Sequence, residues 1–417
     1  MSDEQKIENA PWLNAAPLQT ILGILNDHKE QARIVGGAVR NHLLARPIQD
    51  IDIAVKHPPQ TVLQLAKKAG IKAIPTGLDH GTVTLVHNQQ HFEVTTLRED
   101  IRTDGRHATV AFGTSWLQDA KRRDFTINAL YLSSDGRLHD PLGTGLKDIA
   151  ARRVRFIGDA KTRIKEDQLR ILRFYRFAAH YHKGPLDREA VATTIQQRRG
   201  LTHLSKERIQ SELIKLLQAL QPRLVLQTLY QTGLLQQILA SAPNWALLER
   251  LLAIESTLGQ AANPILRLGI IAAYHQGDIN RLGVRLALSK AEQTTLRLSL
   301  AERPFAKATE SGPDIKAHKK CHYQLGWASY QLAFMASWAR SQQEPTSKTI
   351  SDLFQTAESW PAHQFPLTGQ DLINQGVKPG PELGALLSQL EELWLEEKMT
   401  PTKQDLLNHL TKKKSKQ

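Results

Sequence analysis

The chain has 417 residues, and its 54 Lys and Arg against 41 Asp and Glu give a formal net charge of +13. Its length suffices for two to four domains with substantial cores, and its basic excess favours a polyanionic partner. A single cysteine, Cys321, excludes an intramolecular disulfide framework. Neither a signal pattern nor an apolar run of about 18 residues is present. We therefore expect a cytoplasmic protein without a membrane partner.

The first predicted elements lead to a glycine turn. Apolar residues at helical spacing predict a helix within residues 11–28: Leu18, Ile21, Leu22 and Leu25. Residues 31–35 then lead into Gly36-Gly37-Ala38-Val39-Arg40. Because glycine has no side chain, the backbone of such a turn can approach a phosphate closely.

A carboxylate strand follows the turn. Asp50-Ile51-Asp52-Ile53-Ala54-Val55 alternates polar and apolar residues, so it predicts a strand with Asp50 and Asp52 on one face. Two adjacent carboxylates repel each other unless a cation lies between them, and hard oxygen ligands suit Mg²⁺. Asp-x-Asp and Gly-Gly each also occur in ordinary surface segments. Together they suggest nucleotidyl transfer.

A third carboxylate lies on a predicted hairpin. A helix is expected over 59–69, and the strands 81–86 and 91–97 are joined by Asn88-Gln89. Glu93 lies on the second of these strands. It could complete a metal site with Asp50 and Asp52 or orient the attacking hydroxyl. Alternatively, it is a surface residue of the hairpin.

Two adjacent arginines, Arg122 and Arg123, precede an apolar segment that we predict to be helical. Neighbouring cations are costly to bring together unless an anion lies nearby. We expect Asp124 to hold one guanidinium while the other meets a triphosphate. The alternative is a solvated run of charges. The segment 135–143 predicts a turn, a short strand and a second turn.

Beyond about residue 158 the chain predicts helices almost throughout, with loops at 302–315 and 341–348. A helix is also predicted to start at Pro381. The runs with the strongest helical pattern are 207–217, 247–258, 266–273, 290–300 and 383–395. An α/β head followed by a long helical extension is therefore expected.

The first helical segment carries a polar row. On a helix, Asp167 and Arg170 are neighbours, and Arg173 and Arg176 continue the row. A carboxylate can accept a hydrogen bond from the amino group of cytosine or adenine, and an adjacent guanidinium can donate one to the neighbouring ring nitrogen. Uracil and guanine present a carbonyl where the amino group should be, so they would leave buried groups unpaired. The alternative is an ordinary salt bridge on an exposed helix.

In order and spacing, these motifs resemble class II tRNA nucleotidyltransferases, the CCA-adding enzymes of the DNA polymerase β-like superfamily. The resemblance covers about residues 31–217, including 75–84, 92–98 and 204–212, and it continues in 367–372 and 379–384. It implies an α+β fold with a nucleotidyltransferase head (1–160), a helical neck that reads the base (161–235), and a helical body and tail that bind tRNA (236–417).

The resemblance also assigns roles to residues. It implies that Asp50 and Asp52 bind two Mg²⁺ ions, with Glu93 as a third catalytic carboxylate. The triphosphate of CTP or ATP would be held by Gly37, Arg40 and Arg123. The incoming base would be read by Asp167 and Arg170. Arg173 and Arg176 would support that pair and also bind phosphate or base. The partner would be the acceptor end of tRNA, bound by a monomer or a homodimer. Asn41 stands where the family usually has Asp after the arginine of the turn, so the position of Arg40 or of the triphosphate could differ slightly.

Other functions would leave different features in the sequence. A bacterial poly(A) polymerase would carry a more basic segment near 75–84. A CC-adding enzyme would lack part of the loop at 99–107, which this chain has. A catalytically silent RNA-binding protein would not need Asp50, Asp52 and Arg123. His318, Cys321 and His322 are too crowded, and lack a fourth ligand, for zinc. The basic C-terminus, 411–417, either touches phosphate or frays in solvent.

Overall fold

The computed structural model describes residues 6–7, 10–26, 29–78, 81–104, 107–301 and 314–414, without the side chains of 99–104, 107–111 and 411–414. Two compact units divide the chain, Met1–Ala240 and Ser241–Gln417. Among the described residues, no helix is both long and apolar enough to cross a bilayer.

The first unit contains all the described strands. They are β1 (Ala32–Val35), β2 (Asp52–Val55), β3 (Lys72–Gly77), β4 (Thr82–His87), β5 (Gln90–Thr96), β6 (Arg98–Asp104), β7 (His107–Phe112), β8 (Tyr131–Leu132) and β9 (Leu138–His139). One sheet has the order β3-β4-β5-β2-β1-β8-β9, and β6 and β7 form a separate hairpin. Within the large sheet β2 and β5 run parallel, and the other neighbours are antiparallel.

The first helices of this unit pack against the sheet, and the later helices pack against one another. They are α1 (Ala16–Asn26), α2 (Gly37–Leu43), α3 (Pro59–Lys68), α4 (Trp116–Lys121), α5 (Gly145–Ala150), α6 (Ala160–Glu166), α7 (Arg170–Tyr181), α8 (Arg188–Gln196), α9 (Lys206–Leu217), α10 (Arg223–Gln231) and α11 (Leu234–Leu239). The helix predicted within 11–28 is confirmed as α1, because Leu18, Ile21, Leu22 and Leu25 are all fully buried. The predicted helix 59–69 is confirmed as α3.

The predicted hairpin is confirmed. Asn88 and Gln89 join β4 to β5 with φ angles of +47° and +63°. Two consecutive left-handed residues give the turn whose twist matches that of the flanking strands. The prediction for 99–107 lies partly outside the described residues, since 105 and 106 are not described.

The helix predicted after Arg123 is wrong. Helix α4 ends before Arg122, and the next residues make only one 3₁₀ turn, Thr126–Asn128, before β8. The Asp124 carboxylate accepts the backbone N–H of Phe125 at 2.8 Å, and such local bonds compete with helix formation. Because the apolar run that follows is buried on all sides, it lacks the one-sided pattern of a surface helix.

The second unit is helical in its described residues. Its helices are α12 (Trp245–Leu258), α13 (Pro264–Ala272), α14 (Gln276–Arg285), α15 (Lys290–Leu298), α16 (Ile315–Arg340), α17 (Lys348–Glu358), α18 (Gly369–Asn374), α19 (Pro381–Glu396) and α20 (Lys403–Lys414). The runs predicted as helices are confirmed, as is the start at Pro381. Helix α16 bends at Gly326, where φ is +71°. Most of the predicted loop 302–315 and the end of the basic tail, 415–417, lie outside the described residues.

His318 and His322 lie in an aromatic cluster of α16. The Nδ1 atom of His318 lies 2.9 Å from the hydroxyl of Tyr330, and His322 packs edge-on against Trp360. Burial lowers the pKa of His318 to about 4. The pair therefore contributes to packing in this unit.

Candidate active site

Three carboxylates lie on or next to two neighbouring strands in the middle of the sheet, and we name Asp50, Asp52 and Glu93 the carboxylate edge. The parallel register of β2 and β5 pairs Asp52 directly with Glu93, and Asp50 lies two residues before Asp52. All three side chains are exposed. The sequence left open whether Glu93 would join Asp50 and Asp52 or remain a surface residue of the hairpin. In the structure Glu93 lies beside Asp52.

The electrostatics of the carboxylate edge favour a bound cation. The protein around Asp52 withdraws its carboxylate partly from water, and the charges of Glu93 and Asp50 add to this, so the pKa of Asp52 is raised. Arg123 and Arg40 act in the opposite direction. In the described part of the chain, no group of three or more His, Cys, Asp or Glu is arranged to hold a metal ion. The two exposed carboxylates of Asp50 and Asp52 still fit Mg²⁺, which keeps coordination positions for waters and substrate phosphates.

The glycine turn lies against an arginine. Gly36 has a φ of +72°, a conformation that side chains disfavour, and α2 starts at the next residue. A Cβ atom on Gly36 would lie 3.8 Å from Nη1 of Arg123 and 3.7 Å from the carbonyl oxygen of Asn128. The turn therefore presents bare backbone beside a guanidinium, as binding of a phosphate requires.

Asp119 holds both arginines of the predicted pair. Its buried carboxylate accepts hydrogen bonds from Nε of Arg122 at 2.8 Å, Nη2 of Arg123 at 3.0 Å and the hydroxyl of Tyr131 at 2.7 Å. Although burial alone would raise it, these arginines lower the pKa of Asp119 to about 2. The predicted role of Asp124 as their partner is wrong. Sequence reasoning missed Asp119, although its spacing of three and four residues from the arginines on a helix was the available signal.

Asp124 instead binds the helix α7. Its Oδ2 accepts from Nε of Arg173 at 2.8 Å, and its Oδ1 accepts from Nδ2 of Asn128 at 3.0 Å. Arg176, one turn further along α7, donates to Glu212 of α9 at 2.5 Å. Arg173 and Arg176 therefore neutralise protein carboxylates, which fits the supporting role that the resemblance implied for them. Their binding of phosphate or base stays a prediction.

Arg40 is buried and shares its donors among protein acceptors. Its guanidinium donates to Oδ1 of Asn128 at 2.5 Å, to Oδ1 of Asn41 at 2.9 Å and to the hydroxyl of Tyr181 at 2.8 Å. It also stacks on the ring of Tyr181, with 4.2 Å between the guanidinium carbon and the ring centroid. Asn41 thus supplies Arg40 with a neutral acceptor, and Arg40 connects the glycine turn to α7.

Asp167 and Arg170 are close in sequence but are not paired. Helix α7 begins at Arg170, and Asp167 lies in extended conformation before it, so the prediction that both lie on one helix is wrong. Asp167 pairs with Arg208 of α9 at 2.8 Å, and Arg170 pairs with Glu166. Both side chains remain partly exposed, at 22% and 13%.

Two family models match the chain. One is described as the poly A polymerase head domain and matches residues 32–155, and the other as the probable RNA and SrmB-binding site of polymerase A and matches residues 186–246.

Similar proteins cover nearly the whole chain. The mitochondrial CCA tRNA nucleotidyltransferase 1 of Mus musculus is 34% identical over 400 residues, which are 95% of this chain and 90% of that protein. The CCA-adding enzyme of Levilactobacillus brevis is 33% identical over 364 residues, 87% of this chain and 88% of that protein.

Solved structures share the fold. The CCA-adding enzyme of Bacillus stearothermophilus in complex with CTP superposes with a TM-score of 0.73 at 24% identity, covering 98% of this chain and all of that chain. The CCA-adding enzyme of Thermotoga maritima, complexed with tRNA, gives a TM-score of 0.66 at 18% identity over 98% of this chain and 99% of that one. The predicted α+β fold, a nucleotidyltransferase head followed by helical regions, is therefore confirmed.

Proposed function

This chain belongs to the family of CCA-adding tRNA nucleotidyltransferases, and we propose that it adds C, C and A to the 3′ end of tRNA from CTP and ATP. One observation carries the proposal. The parallel register of β2 and β5 joins Glu93 to Asp52 beside Asp50, and it forms a carboxylate edge in the sheet that also leads into the glycine turn. Negative ligands for a cation next to a phosphate-binding turn are what nucleotidyl transfer requires.

Asp50 and Asp52 would hold Mg²⁺, and Glu93 would orient the tRNA 3′-hydroxyl. When bound, the ions would lower the pKa of that hydroxyl and neutralise the departing pyrophosphate. The 3′-oxygen attacks the α-phosphorus, a new P–O bond forms, and the bond to pyrophosphate breaks. The proton of the hydroxyl passes to solvent. The carboxylate edge would fix the hydroxyl in line with the leaving group.

Arg123 and the backbone at Gly37 would bind the triphosphate. Nη1 of Arg123 faces the turn, whereas its Nε and Nη2 are held by Asp119. A guanidinium fixed on one side and open on the other is preorganised for an anion. Arg40, on the helix that follows the turn, would contribute its positive charge and keep α2 attached to α7.

Asp167 and Arg170 would read the incoming base. Asp167 would accept from the amino group of C or A, and Arg170 would donate to the adjacent ring nitrogen. Their partial exposure at the start of α7 supports this role. Arg173 and Arg176, anchored on Asp124 and Glu212, would stiffen the helix that carries the pair.

The nucleic-acid partner would be tRNA, bound by the helical regions. The net charge of +13 supports a polyanionic partner. Related structures are complexes with tRNA, CTP and ATP. We keep the division into head (1–160), neck (161–235) and body with tail (236–417) as part of the proposal.

The test is addition to tRNA that lacks its 3′ CCA. We expect two C residues from CTP alone, no addition from ATP alone, and CCA followed by a stop from both. Chelation with EDTA should abolish addition, and excess Mg²⁺ should restore it. A long ladder from ATP alone would instead indicate a poly(A) polymerase, and a stop after CC with both nucleotides would indicate a partial enzyme.

A further inference from the structure

Arg40 is a buried guanidinium whose hydrogen-bond partners are all neutral. The residue is 7% exposed, and its acceptors are the amide oxygens of Asn128 and Asn41 and the hydroxyl of Tyr181. Among the residues that the structure describes, no carboxylate lies within ion-pair distance of it. The rings of Phe177 and Tyr181 lie against it instead, at 5.2 and 4.2 Å from the guanidinium carbon. Burial lowers the pKa of Arg40, as expected for a cation without a counter-charge.

The other arginines of the candidate site differ from Arg40 in this respect. Each of them pairs with a protein carboxylate: Arg122 and Arg123 with Asp119, Arg170 with Glu166, Arg173 with Asp124, and Arg176 with Glu212. Burying a charge without a counter-charge is unfavourable. The exception at Arg40 therefore points to an anion that comes from outside the chain.

Arg40 lies beside the glycine turn. A Cβ atom on Gly37 would lie 3.8 Å from Nη2 of Arg40, just as one on Gly36 would lie 3.8 Å from Nη1 of Arg123. Two guanidiniums therefore adjoin the bare backbone at which the triphosphate is proposed to bind. The charge of Arg123 is partly balanced by Asp119, whereas the charge of Arg40 is left to act on the phosphates.

Asn41 keeps the surroundings of Arg40 neutral. Its Nδ2 donates to the carbonyl oxygen of Pro47 at 2.8 Å. Because a carbonyl can only accept, the Oδ1 atom of Asn41 is turned toward the guanidinium. The same Oδ1 accepts from the hydroxyl of Tyr181 at 3.2 Å. An aspartate of the same shape would place a negative charge in hydrogen-bonding contact with Arg40.

Asn128 separates Arg40 from the acidic side chain on its other side. Its Oδ1 accepts from Arg40, and its Nδ2 donates to Asp124. The carboxylate of Asp124 is already paired with Arg173. Two amides thus hold the guanidinium of Arg40 in place without neutralising it.

We propose that Asn41 is a positioning residue for triphosphate binding, whose neutral amide orients the Arg40 guanidinium and leaves its charge available to the phosphates of CTP or ATP. This rests on the proposed function of the chain. Asn41 does not contact the nucleotide, and it acts through Arg40. Affinity and stability should therefore oppose each other at this position, because a carboxylate would stabilise the buried cation and weaken its attraction for phosphate.

The experiment compares Asn41→Asp with Asn41→Ser. Both variants lose the amide that donates to Pro47, and only the aspartate carries a charge, so the comparison isolates the charge beside Arg40. The control is Asn14→Asp, which adds the same charge at an exposed position of the head. The measurements are the Kd of inorganic tripolyphosphate, the Kd of CTP, and the unfolding temperature without ligand. All are made at one ionic strength, since salt screens charges.

We expect Asn41→Asp to bind tripolyphosphate and CTP on the order of tenfold more weakly than Asn41→Ser, because the added charge cancels much of the attraction of Arg40. Without ligand, Asn41→Asp should unfold at a higher temperature than Asn41→Ser, because its carboxylate pairs with the buried guanidinium. General damage to the fold would lower affinity and unfolding temperature together. Asn14→Asp should match the wild type in both Kd values.

Equal affinities of Asn41→Asp and Asn41→Ser for tripolyphosphate would overturn this role. Weaker binding together with a lower unfolding temperature in Asn41→Asp, or its failure to fold where Asn41→Ser folds, would also overturn it. So would an equal loss of affinity in Asn14→Asp, since that would reflect net charge alone. If Asn41→Ser does not fold, Asn41→Ala takes its place as the neutral variant. A wild type that binds tripolyphosphate and CTP without adding CCA would contradict the proposed function and leave the role of Asn41 standing.

Discussion

At the scale of single residues, Asp119 shows how the site keeps its positive charges together. One buried carboxylate accepts hydrogen bonds from Arg122 and Arg123 and from the hydroxyl of Tyr131. Arg123 can therefore face the glycine turn without being repelled out of it by its neighbour. We therefore propose that Asp119 positions the arginine and does not contact substrate.

Asp119→Asn should weaken triphosphate binding and reduce stability near neutral pH by about 2 kcal/mol, because the ordinary pKa of 3.8 is lowered to about 2 in the folded protein. A lowered carboxyl pKa stabilises the fold above the unfolded value and loses that effect as pH falls through the folded value. The stability difference from wild type should therefore be constant above about pH 5 and shrink between about pH 4 and pH 2. Urea unfolding at several pH values measures it, and a difference independent of pH would contradict the assignment.

Asp52→Asn should separate function from stability. The raised pKa of Asp52 means that its ionised form destabilises the fold at neutral pH, so the variant without metal should unfold at a slightly higher temperature. CCA addition should fall on the order of a thousandfold, because a cation ligand is lost. Mg²⁺ should raise the unfolding temperature of the wild type but hardly that of the variant.

Asp135→Asn, which removes an exposed carboxylate of the head, is the control and should keep full activity. Full activity in Asp52→Asn would remove Asp52 from the proposed metal site.

At the scale of elements, α7 is held by charges from two sides. Arg173 binds Asp124 of the head, and Arg176 binds Glu212 of α9. The helix that would read the base is therefore connected both to the arginine segment and to the helix that carries Arg208. A shift of α7 would disturb triphosphate and base contacts together.

Glu212→Gln should destabilise the protein by roughly 2 kcal/mol, because it leaves Arg176 without its carboxylate, whereas Arg173 keeps Asp124. The value is below that for a fully buried pair, since the Arg176 side chain is 15% exposed. Glu207→Gln, an exposed position one turn earlier on α9, should cost less than about 1 kcal/mol. Equal losses of stability in the two variants would show that the ion pair of Glu212 stabilises the fold no more than an exposed glutamate does.

Two kinds of element could be predicted from the sequence: those with a periodic apolar pattern, and turns that are determined by the residues within them. Helix α1 has one apolar face, and Asn88-Gln89 tolerate the left-handed backbone of their hairpin. The segment after Arg123 was missed, because a fully buried apolar run has no period that separates a helix from an irregular segment. Asp50 and Asp52 were read from spacing alone. Their meeting with Glu93 depends on a parallel strand pairing between residues far apart in sequence, which spacing does not encode.

The partners of the charged residues were the least predictable part of the site. Asp124 binds Arg173, 49 residues away, and Asp167 binds Arg208, 41 residues away. Neighbours in sequence suggested Arg123 and Arg170 instead. Tertiary packing decides which of several nearby charges meet, so sequence neighbours are weak guides to ion pairs.

At the scale of the whole molecule, the candidate site lies entirely within the first compact unit, Met1–Ala240. We therefore expect a fragment of these residues to bind CTP with an affinity similar to that of the full chain. Its KM for tRNA should rise strongly, since phosphate contacts of the helical second unit would be lost. Calorimetry with CTP and steady-state addition measure the two effects. An unchanged KM for tRNA would remove the second unit from tRNA binding.

In the proposed function, protein side chains alone select the nucleotides. The most direct measurement offers tRNA lacking its CCA to the full chain with CTP, ATP, GTP and UTP at equal concentrations, and then sequences the 3′ ends. We expect C, C and A in that order on nearly every molecule, followed by a stop. Frequent U or G at these positions, or continued addition beyond A, would contradict it.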